Sequence, residues 1–137
     1  MDQQNLVQIL HGSIHPDTRE EAEKQLSEVH KIIHFSPTLL RVVMDEGIHF
    51  PARQAGVIYL KNMVNQFWNL REPDSPLEPI PFSIHEDDKT VVRSNIIEAI
   101  ITSPDLIRCE NLFVSVNSLA RVLSFCLYRD KTYHPHL

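Results

Sequence analysis

Apolar residues in this chain recur every three or four positions, the spacing that gathers them on one side of an α-helix. The pattern is fullest between Phe50 and Leu70. There Ala52, Ala55, Gly56, Tyr59, Leu60, Met63 and Phe67 share a face, and Val57, Ile58, Val64 and Trp68 widen it to most of the circumference. Pro51 suits the first helical position, where its fixed φ fits and its missing N–H costs nothing. A helix apolar on so many sides needs neighbours on both flanks, and the pattern predicts that the chain is organised around it. Among these apolar residues stand Arg53, Gln54, Lys61 and Asn62, so the helix keeps one small polar window.

The remaining segments read as shorter amphipathic helices. Asp2 caps a first helix carrying Leu6, Ile9 and Leu10, which Gly12 is expected to end. A second opens at His15-Pro16-Asp17, with Glu20 completing a capping-box-like arrangement and Ala22, Leu26, Val29 and Ile33 as its buried stripe. A third starts at Ser36-Pro37, turns Leu39, Leu40, Val43 and Met44 inward and ends by Gly47. After the long helix, residues 71–85 hold prolines at 73, 76, 79 and 81, which no helix interior tolerates, so an extended connection is expected. A fifth helix runs from the acidic group Glu86-Asp87-Asp88 to about Thr102 on Val92, Ile96, Ala99 and Ile100. Ser103-Pro104 opens a sixth, with Leu106, Cys109, Phe113, Val116, Ala120, Leu123 and Leu127 inward, before a tail without periodicity.

The longer helices open at Pro16, Pro51 and Pro104, at spacings of 35 and 53 residues, the second stretched by the proline connection. Helix pairs repeating every 40 or so residues predict an all-α, HEAT-repeat-like solenoid of about three antiparallel pairs, near the minimum for a stable stack.

Composition narrows the function. With 137 residues, 42% of them hydrophobic, the chain can bury one core, and three glycines speak against a turn-rich β fold. A net charge of −5 gives no electrostatic footprint for nucleic acid. No apolar run approaches the roughly 20 residues that span a bilayer, and the start MDQQNLVQ does not read as a signal peptide. Cys109 and Cys126 lie in apolar helical surroundings and read as small buried hydrophobes, which favours a reducing compartment.

Candidate catalytic constellations are weak. His30 and His34 stand at i and i+4, but neither a following Glu nor a third ligand at suitable spacing accompanies them. The acidic groups Glu20-Glu21-Glu23 and Glu86-Asp87-Asp88 lie at helix starts, where compensation of the helix dipole accounts for them. There is no glycine-rich phosphate loop and no nucleophile elbow. A non-enzymatic protein without cofactor is expected.

The stretch PARQAGVIYLKNMVNQFW resembles the second repeat of the importin-β superfamily N-terminal domain: an Arg, small residues, a hydrophobic-Lys-Asn step and a closing Trp. DTREEAEKQL is similar to the inner helix of the first repeat, and VVRSNIIEAIITSPDLIR to the start of the third. The likeness spans residues 1–108 and points to the importin seven and eight branch of Ran-binding nuclear transport receptors; residues 109–137 depart from it. It implies an amino-terminal fragment or spliced product with HEAT repeats over 1–108 and a divergent tail, helical to about 128.

The resemblance further implies a receptor module that binds Ran in its GTP form through the second helix of each pair. Lys61 and Asn62 would face the GTPase, Arg53 and Gln54 would adjoin them, and Arg19, Glu23 and Lys24 would reach the same partner from the first inner helix. Arg53 is equally readable as bonding the carbonyls or carboxylates of a neighbouring repeat, and Asn62 as an inter-helix hydrogen bond within the stack. Cargo and nucleoporins would be bound by later repeats, and the protein would shuttle between cytoplasm and nucleus. The competing reading is a helical scaffold, or a truncated product, with little or no Ran binding.

Overall fold

The computed structural model describes residues 2–68 and 73–102. Within them lie five helices, α1 (Gln3–Ile14), α2 (Arg19–Val29), α3 (Phe35–Met44), α4 (Phe50–Phe67) and α5 (Glu86–Thr102). The expected sixth helix, the tail and both cysteines fall outside the described residues. The described part is all-helical, as the periodicity predicts, and no strand occurs among the described residues.

Short connections fold α1 on α2 and α3 on α4 as hairpins, and α3 also packs on α1 and α5. Here the order of importance differs from the sequence reading. The short α3, not the long α4, is the element surrounded by neighbours: eight of its ten residues are buried, against seven of eighteen in α4. Neither apolar row of α4 is fully covered: Tyr59 and Phe67 of the first sit at the rim of the core, and Ile58 of the second is only half-buried. Leu6, Leu10, Leu39, Val43, Ala52, Leu60 and Val64 form the dry centre, all fully shielded from water.

Several helix ends moved. Asp2 caps α1 as expected, its Oδ1 accepting the Gln4 N–H at 3.4 Å, but the helix runs past Gly12 to Ile14. A helical hydrogen-bond ladder tolerates a single glycine at a cost of about 1 kcal/mol when packing holds it. The second helix starts at Arg19 rather than at Pro16, with Thr18 as N-cap. The Thr18 hydroxyl turns away from its own helix and donates to the Gly12 carbonyl at 2.6 Å, tying the end of α1 to the start of α2. The helix stops at Val29, so Ile33 lies in the following turn and is 45% exposed rather than buried.

Pro51 occupies the first turn of α4 as expected. The proline connection is non-helical over its described part, residues 73–85, and returns to the helix it left: the Ile84 N–H donates to the Phe67 carbonyl at 2.8 Å. That bond fixes where α5 begins. Val92 and Ile96 then enter the core.

Candidate interaction surface

The buried residues of α4 (Ala52, Arg53, Gly56, Val57, Leu60, Met63 and Val64) face α3 and α1. Gly56 lets the helices close, since a Cβ there would stand 3.2 Å from Val43 Cγ2 and 3.4 Å from Leu39 Cδ1. On the other side lies a polar stripe. Gln54 and Lys61 are partly exposed and Asn62 is exposed. Asn65 and Gln66, also exposed, extend it by one turn. They follow Asn62 at three and four positions, so helical spacing could have added them to the window.

Arg53 does not belong to this stripe. It is only 8% exposed, and its Nε donates to the Val43 carbonyl at 2.9 Å. Val43 lies in the last turn of α3, where carbonyls have no partner within their own helix. A charged donor is favoured at that negative end. Arg53 thus bonds a backbone carbonyl as one of its two readings has it, but within its own α3–α4 hairpin rather than on a neighbouring repeat.

On α2, Arg19, Glu23 and Lys24 are all exposed. Arg19 also reaches back to α1, its Nε donating to the Ser13 carbonyl at 3.3 Å. The polar residues of α2 and α4 thus lie on the second helices of the two hairpins.

Behind the α4 stripe is an aromatic cluster that sequence reasoning missed. His30 Nδ1 lies 2.8 Å from the Tyr59 hydroxyl. Its ring packs on Phe67 and Phe82, with centroids 5.0 and 5.3 Å away. Burial first, and the Lys31 charge second, hold the His30 pKa below 6.5, partly offset by the Leu26 carbonyl. Burial pushes the Tyr59 hydroxyl up to about 12. Both groups are therefore neutral at pH 7, and one proton serves the bond between the facing atoms, while His30 Nε2 is buried without a hydrogen-bond partner. His34, by contrast, points outward toward Asp88, so the two histidines share no face. Among the described residues no group of three His, Cys, Asp or Glu side chains is arranged to hold a metal ion.

The acidic start of α5 also departs from expectation. Glu86 and Asp87 are exposed in the first turn, but Asp88 is buried, and its Oδ2 accepts the His34 backbone N–H at 2.9 Å. Dipole compensation alone does not describe Asp88: it tethers α5 to the start of α3. Nearby, Lys89 Nζ pairs with Glu86 at 3.0 Å and lies 5.6 Å from the Trp68 ring centroid, with the Arg93 guanidinium at 5.7 Å. These cations hold the end of α4 against α5.

Two helical hairpins, with α1 of the first packed on both α3 and α4 of the second and polar residues displayed on α2 and α4, define a helical-repeat protein. Residues 22–102 match the Importin-beta N-terminal domain, and the chain belongs to that family. It is 48% identical to Importin-8 of Homo sapiens over 110 residues, 80% of this chain and 11% of that protein. It is 26% identical to the Probable importin-7 homolog of Dictyostelium discoideum over 74% of this chain and 9% of that one. With Exportin-2 of Danio rerio it shares 28% identity over 70% of this chain and 9% of the relative. The chain therefore spans about a tenth of the length of these relatives. No solved structure matches it significantly.

Proposed function

We propose that this chain is the Ran-GTP-binding, N-terminal module of an importin-β-type nuclear import receptor, acting in protein transport between cytoplasm and nucleus. The observation that carries the reading is the polar stripe on α4, where Gln54, Lys61 and Asn62 stand at the surface of the second helix of a hairpin. Amide and ammonium groups at that spacing offer donors and acceptors to a partner's loop without needing a deep pocket. Arg19, Glu23 and Lys24 supply a second set on α2, and Asn65 and Gln66 lengthen the first. The proposed part of the protein is a binding surface, not a catalyst. Cargo and nucleoporins fall to repeats that the relatives have beyond the matched region.

A second reading, a helical scaffold with little Ran binding, draws support from Arg53 and Arg19. Arg53 is buried against α3, and the exposed Arg19 commits its Nε to the Ser13 carbonyl, which leaves fewer guanidinium donors for a partner. Pull-down with Ran loaded with a non-hydrolysable GTP analogue, beside Ran loaded with GDP, separates the two. Retention in the GTP form alone supports the transport reading; retention in neither form rejects it.

A further inference from the structure

The chain contains three Ser-Pro dipeptides, at 36–37, 75–76 and 103–104. The first two lie among the described residues, and the fold treats them in opposite ways. Ser36 and Pro37 are buried in the first turn of α3, with Ser36 only 2% exposed. Ser75 opens a turn in the proline connection, its carbonyl accepting the Glu78 N–H at 3.0 Å and its Oγ accepting the Leu77 N–H at 3.3 Å. Ser75 itself is half-buried, and Asp74, Pro76, Leu77 and Glu78 around it are all exposed, Leu77 by 95%.

We propose that Ser75 is a phosphorylation site for proline-directed protein kinases, presented by the turn that precedes α5. Such an enzyme must draw the acceptor serine into an extended cleft, and its subsite for the next residue must accept one that offers no N–H; Pro76 meets that condition. Only two local hydrogen bonds need to open at Ser75, and no helix is disturbed. At Ser36 the first turn of α3 would have to unfold, together with its packing against three neighbours.

The step is ordinary phosphoryl transfer. Ser75 Oγ bonds to the γ-phosphorus of Mg-ATP and the bond to the β–γ bridging oxygen breaks. ADP leaves with that electron pair, and the hydroxyl proton passes to the kinase's base. The product carries about two negative charges at pH 7 between Asp74 and Glu78, and its oxygens can accept the Leu77 N–H that the hydroxyl now accepts. A turn that exposes Leu77 and Ile80 thereby becomes strongly anionic. This inference does not depend on Ran binding.

The test incubates the full 137-residue chain with a purified mitogen-activated protein kinase and Mg-ATP, and maps phosphate by mass spectrometry. Phosphate is expected on Ser75, at least about 100-fold faster than on Ser36, because α3 must open first. Ser75→Ala removes that signal, Pro76→Ala slows it by about tenfold or more, and Ser36→Ala leaves it unchanged. An unmodified Ser75, or phosphate arriving at Ser36 at a comparable rate, overturns the proposal.

Discussion

The Asp88 carboxylate holds the backbone N–H of His34 at 2.9 Å across 54 positions of chain. His34 is the one non-glycine residue with positive φ among the described residues, at 73°, and it is the N-cap of α3. A side chain in that conformation costs about 1 kcal/mol, and the charge-assisted bond from Asp88 offsets it. The arrangement clamps the start of α5 onto the start of α3.

Removing the acceptor should loosen that clamp. Asp88→Ala is expected to lower unfolding stability by about 1–3 kcal/mol, since the His34 N–H is left without its partner. His34→Gly keeps the N–H and relieves the backbone, so it should be neutral or slightly stabilising. Urea denaturation of both variants checks the pair. Equal losses in the two would show that the carboxylate acts by some other route.

His30 predicts a pH dependence. Its folded pKa lies below 6.5, so the unfolded chain takes up the proton first as pH falls. The stability due to neutral, buried His30 is complete above about pH 6.5 and declines as pH drops toward the folded pKa. Thermal melts between pH 7.5 and 5.5 should show this decline. His30→Phe, which keeps the ring in the aromatic cluster, should make it shallower. A parent melting temperature that rises on acidification would contradict the sign.

Gly56 sets the distance between α3 and α4. Gly56→Leu would drive a branched side chain into Val43 and Leu39 and is expected to cost about 1–3 kcal/mol by overpacking. Chemical denaturation measures it. A fully stable variant would mean that α4 slides outward at little cost.

Arg53 and Lys61 should separate structure from binding. Arg53→Ala leaves the Val43 carbonyl unmet and should destabilise by about 1–3 kcal/mol. Lys61→Glu, at the surface, should leave helicity and stability nearly unchanged while weakening retention of GTP-loaded Ran. Circular dichroism and the pull-down together read both effects. Wild-type retention by the Lys61 variant would remove that residue from the proposed contact.

Much of the fold was legible because it rests on local signals. The start of α5 at Glu86 and the seat of Pro51 in α4 agree with spacing and proline chemistry. Errors arose where one helix end bonds to another. Gly12 reads as a stop, yet its carbonyl receives the Thr18 hydroxyl and the helix continues. Ile33 continues the stripe of α2 on paper, but the chain turns after Val29 to seat His30 against Tyr59. The polar window was readable at Lys61 and Asn62, whose exposure follows from their phase on the helix.

By itself the amino-acid order determined that the described chain is helical and which side of most helices is apolar, because periodicity is a property of neighbours three and four residues apart. Tertiary structure alone decided that α3 rather than α4 is enclosed, that Arg53 turns inward to Val43 and that Asp88 becomes a buried anchor for His34. A polar residue is drawn into the core only when a distant group is placed to satisfy it. Those partners lie 10 and 54 positions away in the chain, beyond the reach of any local pattern.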